Sequence, residues 1–488
     1  MSVGIVSWGV YLPYWRLQRS AIGATLGGAS GRGTRTVASF DEDTTTMGVE
    51  ASRRALAALD GDAPSTLLFA TPSPAYFDKT NATAIHAGVG LPESTAAYDT
   101  AGSVRSAVGA VRAAAAMAAG GDRVMAVLSD LRTGLAGSGD ERDGGDGAVA
   151  LVLGDGDDVV AELVGHAAAS AEFLDRWRSV GEIESRQWEE RFGEEVYLPL
   201  VESAYAAALK DAGLSPDDVD HVAVSGLQPR ALRSAARTIG VRDEALVKDR
   251  TSAIGNLGAA QLGLQLADAL DSAEPGALIA LVVLADGADV LLFRATDQLP
   301  QARGLRDQHG LATVAQLAAG GRDDLPYARF LTWRGELRRE PPRRPDPERP
   351  GAPATWRSSE WRGGFVASRC DVCGFRHLPP TRVCLKCKTI DQMTLERLAD
   401  VRGKVATYTV DHLAYSLSPP VVGVVVDFEG GGRYRCEMTD VDPDTVEIGT
   451  EVEMTFRRIY TAQGVHNYFW KARPVHTAAE PTDEGSPA

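Results

Sequence analysis

Four cysteines constrain most tightly how this chain can fold. Cys370 and Cys373 form one C-x-x-C pair, Cys384 and Cys387 a second, and ten residues lie between the pairs. Each C-x-x-C turn aims two thiolates at one centre, and two such turns complete a tetrahedral sulfur site closed to water, which is the structural kind. Gly374 and Pro379-Pro380 supply turn residues around the knuckles. Zinc is the expected metal, although a rubredoxin-like iron is chemically compatible with the same ligands. The remaining cysteine, Cys436, sits in the strand-like run YRCEMTDV, where a small buried apolar role is expected. Residues 1–369 contain no cysteine. This usage fits a reducing compartment and a metal site better than a disulfide framework.

A chain of 488 residues has room for two or three domains. Its net charge of −16 argues against nucleic acid as a partner, because phosphate neutralisation needs clustered Lys and Arg. No run approaches the roughly 20 apolar residues needed to cross a bilayer. The start, MSVGIVSWGVYLPYW, has no charged segment ahead of its apolar run and reads as a first strand. The expected setting is cytoplasmic, away from membranes.

The first part of the chain alternates short apolar runs with Ala-rich helical stretches, the pattern of an α/β protein. Strands are expected at 4–10, 66–70, 123–129, 148–153, 221–225, 277–284 and 290–294, and helices at 45–59, 103–119, 197–212 and 257–271. The order strand, helix, strand, helix and then two strands around Gly-Asp-Gly occurs twice, as in a pseudo-repeat. The run LRREPPRRPDPERPGAP, 337–353, is too Pro-rich and charged for helix or strand and reads as a solvated linker. Past the cysteines, VATYTV, VVGVVVDF, YRCEMTDV, VEMTFRRIY and VHNYFWKA recur between turn signals, which predicts a small barrel of the OB type. The resulting division is two related halves at 1–165 and 166–297, a helical segment and linker at 298–355, the ribbon at 356–395, the barrel at 396–475 and a disordered tail at 476–488.

These stretches together resemble a known pairing. GIVSWGVYLPYWRL, DEDTTTMGVEASRRAL, YFDKTNATAIHAGVGL, SDLRTG, GDGAVALVLG and IGNLGAAQLGLQLADAL are similar to the 3-hydroxy-3-methylglutaryl-CoA synthase branch of the thiolase superfamily. WRGELRREPPRRP with the ribbon and barrel resembles the zinc-ribbon OB-fold proteins that accompany such enzymes. The resemblance implies a five-layered αβαβα sandwich of two related halves, a rubredoxin-like ribbon and an OB-type barrel. It also implies a homodimer, acyl-CoA thioesters as substrates, and a thiolase or hydratase as a further partner. In that family a cysteine at a helix N-terminus takes the acyl group, a glutamate or histidine moves the α-proton, and backbone donors hold the enolate oxygen.

All three members of that triad are missing at the matching positions. YDTAGSVRSAVG puts Gly102 or Ser103 at the nucleophile, TPSPAY puts Pro72 at the acid, and Leu227-Gln228-Pro229 stands where the family has His-Gln-Pro. Several groups remain as candidates. Asn256 matches the family's carbonyl-binding Asn and also reads as a helix cap. Tyr76, Asp78 and Lys79 lie on the loop that faces the site in relatives, and His86 follows; Tyr76, Asp78 or His86 could transfer a proton, whereas a lone His on a small-residue helix more often has a structural role. Asp99 and Ser103 flank the vacant position, and Ser103 as nucleophile would need a base beside it. Asp286 and Asp289 read as turn formers. The leading functional expectation is an aldol or retro-aldol step on a β-hydroxyacyl-CoA, which needs no acyl-enzyme. The alternatives are an inactive acyl-CoA-binding scaffold that partners a thiolase, and a condensing acyltransferase.

Overall fold

The computed structural model describes residues 2–28, 31–343 and 345–476. Except for His476, the expected tail lies outside the described residues. Nine strands build the large sheet: β1 (Val3–Tyr11), β2 (Thr66–Thr71), β3 (Ala96–Ala101), β4 (Val124–Asp130), β5 (Gly147–Asp155), β6 (Ala161–Ser170), β7 (His221–Gly226), β8 (Leu278–Leu284) and β9 (Gly287–Ala295). Their order is β7-β8-β9-β6-β1-β5-β4-β2-β3. The narrowest join in the sheet is where β1 touches β6 over only two residue pairs, Gly4 with Glu162 and Ile5 with Ala161, so the second group of strands starts at Ala161 rather than at the expected 166. β3, β2 and β4 run parallel, with Thr71 opposite Ala101 and Ala70 opposite Leu128. The loops that leave their carboxyl ends therefore emerge together.

Small residues decide how the helices cover this sheet. α3 (Ser106–Ala118) and α5 (Gln261–Ser272) sit in a central core with residues of both halves, including Leu128, Leu151, Leu281 and Phe293. α4 (Glu190–Ala212) covers the far face of the second half through Tyr197, Val201 and Ala208. α1 (Thr44–Ala57) and α2 (Ala82–Val89) lie on the far face of the first half. They approach closely because of glycine: a Cβ at Gly88 would fall 2.7 Å from Val49 Cγ2.

No helix or strand occurs among the described residues between Arg334 and Ala352, in keeping with the proline content of that stretch. The ribbon is a three-stranded sheet, β10 (Val366–Cys370), β11 (Arg376–His377) and β12 (Met393–Arg397), with β10 in the middle. The barrel comprises β13 (Gly403–Asp411), β14 (Val421–Phe428), β15 (Arg433–Met438), β16 (Glu451–Ala462) and β17 (Val465–Pro474), closed in the order β13-β14-β15-β17-β16. Its apolar interior is continuous with the large body: Met47 and Val49 of α1 share one core with Val424, Phe456 and Trp470.

Charge fixes how the barrel sits. The acidic run at the start of α1 meets basic residues of β16 and β17. Arg457, wholly buried, pairs with Glu42 and Asp440. Lys471 lies 3.0 Å from Asp41, and Arg473 2.9 Å from Glu50. Asp43 caps α1 by accepting the Thr45 and Thr46 amides on Oδ1, and its Oδ2 accepts the Tyr468 hydroxyl at 2.8 Å. Such buried pairs add little net stability over an apolar contact, but leaving one partner alone costs about 3–5 kcal/mol. They select one docking geometry.

Candidate active site and metal centre

The parallel strands deliver three loops to one end of the sheet. Behind β3, Gly102 takes φ +131°, and a Cβ built there meets no atom within 4 Å. Ser103 follows; its amide donates to Ser106 Oγ at 3.3 Å, and among the described residues no base contacts its hydroxyl. Behind β4 stands Asp130, wholly buried. Its Oδ2 accepts the Ala259 amide at 3.1 Å and lies 3.5 Å from Arg132, while Oδ1 has no partner. Burial raises its pKa, and Arg132 opposes that rise. Behind β2 runs the 72–81 loop. Arg178, from the segment after β6, donates to the Pro72 carbonyl, Ser73 Oγ and Thr133 Oγ1.

Asn256 joins the two halves. Its Nδ2 donates to the Gly226 carbonyl at 2.8 Å, its Oδ1 accepts the Gly258 amide at 2.9 Å, and its own amide donates to Asp143. One Nδ2 proton is thus engaged, and the other has no acceptor among the described residues. Gly258, at φ +54°, is required here, since a Cβ would fall 2.0 Å from Asp130 Oδ2. Beside Gly226, Gln228 donates to Asp175 at 2.7 Å, Tyr197 donates to the same carboxylate at 3.2 Å, and Gln228 Oε1 is buried without a partner. Burial raises Asp175, and the two donors pull against it.

The other candidates divide. Tyr76 is half-buried, with Oη accepting the His466 amide of the barrel at 2.6 Å. Asp78 and Lys79 are exposed, and Lys79 is turned to Thr80 and Thr83. His86 Nε2 lies 2.9 Å from the Pro92 carbonyl at the far end of α2, a structural contact. Asp99 accepts the Asn81 and Ala82 amides and satisfies the start of α2. Asp289 pairs with Arg105, and Asp286 takes φ +48° in its turn. Sequence reasoning overlooked Asp130, Asp175, Arg178 and His466; the Asp of SDLRTG was the one visible signal. A cavity of about 330 Å³ lies along the barrel seam and one of about 300 Å³ between barrel and body, and neither is lined by Gly102, Ser103 or Asn256.

In the ribbon the four sulfurs of Cys370, Cys373, Cys384 and Cys387 lie within 4.8 Å of one another. Cys370 and Cys387 are 3.6 Å apart, and Cys373 and Cys384 3.5 Å. Zinc–sulfur bonds of about 2.3 Å in a tetrahedron require about 3.8 Å between sulfurs, so the set fits a four-coordinate ion.

Comparison with known proteins matches residues 396–457 to the family model "ChsH2, C-terminal OB-fold domain" and residues 209–290 to "3-Oxoacyl-[acyl-carrier-protein (ACP)] synthase III C terminal". The hydroxymethylglutaryl-CoA synthase of Pyrococcus horikoshii is 29% identical over 314 residues, covering 62% of this chain and 89% of that protein. That of Methanothermobacter thermautotrophicus is 29% identical over 350 residues, covering 69% and 99%. Among solved structures, MvaS in complex with 3-hydroxy-3-methylglutaryl coenzyme A superposes with TM-score 0.59 at 18% identity, covering 81% of this chain and 99% of that one. The fold is thiolase-like, in its hydroxymethylglutaryl-CoA-synthase-like form. To this thiolase-like body are joined an OB-fold domain and a four-cysteine cluster able to ligate a metal. FabH from Pseudomonas aeruginosa PAO1, at TM-score 0.55 and 19% identity, matches 61% of this chain and 98% of its own length. Among the described residues no helix is long and apolar enough to cross a membrane.

Proposed function

We propose that the chain is an enzyme acting on acyl-CoA thioesters, which makes or breaks a carbon–carbon bond by an aldol or retro-aldol step without a cysteine acyl-enzyme. One observation carries this reading: the turn ahead of α3 offers Gly102, with open space where a side chain would stand, and no thiol precedes Cys370. An aldol step needs a base for the β-hydroxyl and donors for the enolate oxygen. The free Asn256 amide proton is such a donor, and Tyr76, Asp78 or the partnerless Asp130 oxygen are the proton-transfer candidates, whereas the expected candidate His86 is turned to the Pro92 carbonyl.

A second reading has its own support. The sequence relatives are named hydroxymethylglutaryl-CoA synthases, and this descent speaks for a condensing acyltransferase more than for an aldolase. Condensation through an acyl-enzyme would have to use Ser103 here. We further propose a five-layered αβαβα sandwich, a rubredoxin-like ribbon with structural zinc, cytoplasmic residence, and a homodimer that also engages a thiolase or hydratase. The support for the dimer is β3, one of the two edge strands of the sheet, where Tyr98 is 55% exposed.

Incubation with isotope-labelled acyl-CoA, followed by peptide mass spectrometry, tests the main reading. It expects no acyl group on the large body, and release of a shorter acyl-CoA and a carbonyl product from a β-hydroxyacyl-CoA. A label on Ser103 would overturn it in favour of condensation, and tight binding without turnover would favour a scaffold. Light scattering of the same preparation at micromolar concentration tests the dimer, which a monomer mass would refute.

A further inference from the structure

The barrel touches the 72–81 loop, which leaves β2 at the same end of the sheet as Gly102 and Asp130. The β16–β17 hairpin pairs Thr461 with His466 and turns through Gln463 and Gly464, both at positive φ (51° and 77°). That is the tight two-residue turn whose twist matches its strands, so the hairpin tip is stiff. From it the His466 amide donates to Tyr76 Oη at 2.6 Å, and the two rings lie 4.7 Å apart between centroids. His466 Nδ1 is 2.8 Å from Thr461 Oγ1 and Nε2 is 3.4 Å from the Ala75 carbonyl. Because the carbonyl can only accept, Nε2 carries the proton and Nδ1 accepts from the threonine hydroxyl. Burial lowers the pKa of His466, which keeps the ring neutral in this arrangement.

The loop is held from three other directions. Thr44 Oγ1, on the first residue of α1, donates to the Ser73 carbonyl at 2.8 Å; Arg178 holds Pro72 and Ser73 from the opposite side; and Asp99 anchors Asn81. Between these anchors Phe77, Asp78, Lys79 and Thr80 are exposed. Asn81 holds the Tyr76 backbone, accepting its amide on Oδ1 and donating Nδ2 to its carbonyl, both at 2.9 Å, so the barrel supplies the contacts to the Tyr76 ring and the Ala75 carbonyl.

We propose that His466 is a positioning residue through which the barrel sets the 72–81 loop over the candidate site and so controls the rate of the carbon–carbon step. This rests on the reading that the loop borders the reacting groups. His466→Ala in the full-length protein removes the ring contacts while keeping the main-chain bond to Tyr76 Oη, so it tests the side chain's share of the clamp, and His466→Gln retains a donor for the Ala75 carbonyl. Hydrogen exchange followed by mass spectrometry is expected to show exchange at residues 73–80 rising by about tenfold or more in His466→Ala, with the barrel strands unchanged. With a turned-over acyl-CoA, kcat is expected to fall by about tenfold or more while KM stays within about twofold, and His466→Gln to recover most of the loss. Unchanged exchange in the loop would overturn the clamp. A loosened loop with unchanged kcat would overturn its control of the reaction. Absence of turnover in the unmodified protein would instead refute the proposed function, and exchange alone would then decide the clamp.

Discussion

Asn256 serves the fold and, in the proposed reaction, the chemistry as well. It bridges Gly226 and Gly258 and still has an amide proton to offer. Replacing it by Ala is expected to slow turnover by about a hundredfold or more with a smaller effect on acyl-CoA binding, because a donor aimed at the enolate oxygen acts mainly in the transition state. Steady-state kcat and KM check this; a rise in KM with kcat intact would show that the residue only binds. Asn256 was legible because it stands in a recognisable GNLG run ahead of a helix. Arg178 and Asp175 were not, since they belong to an aperiodic segment and reach partners that sequence spacing does not reveal. His466 was hidden for the same reason: its contact with Tyr76 spans 390 residues.

At the scale of elements, the ribbon is the part most dependent on one bond type. β11 has two residues and β10 and β12 five each, so in the proposed zinc-bound ribbon metal binding would supply much of the folding free energy of the unit. About one zinc per chain is expected. Cys384→Ser should abolish it, unfold the ribbon and loosen the barrel while the thiolase-like body stays folded, as read by metal analysis and hydrogen exchange. A metal-free ribbon with native protection would refute this. The strands that sequence reasoning found are those with β-branched or apolar runs, such as β4 and β8. β6, AELVGHAAAS, and β3, AAYDTA, escaped notice because alanine and glycine carry little strand preference; their pairing comes from neighbours on both sides or from the end of the sheet.

For the whole molecule, the junction between barrel and body should respond to pH with two signs. Burial alone would raise Asp41, but Lys471 and Arg457 outweigh it and pull the carboxyl down to about 2. An unfolded Asp titrates near 3.9, so its contribution is full above that value and is lost as the pH falls towards 2. Glu50 behaves likewise, held down by Arg473 and Arg53 against its burial. Glu42 goes the other way: burial outweighs Arg457 and lifts it to about 7, so its contribution is present below the ordinary glutamate value and lost as the pH rises through 7. Stability measured by denaturant unfolding is therefore expected to peak on the acid side of neutrality, between about pH 4 and 6. A profile rising steadily from pH 5 to 8 would refute the Glu42 assignment.

The core shared by α1 and the barrel also has a consequence for the order of synthesis. Glu50 leaves the ribosome early, yet it meets Arg473 across 423 residues of chain. The side of α1 that carries Glu50 and Arg53 thus waits for its partners, Arg473 and the Met454 carbonyl, through nearly the whole of translation. Contacts of such long separation form late and slowly, and buried charges left without their partners hold that side of the helix open to water until then. The first helix laid down against the sheet is thus among the last to be fully enclosed, because one side of it waits for β16 and β17.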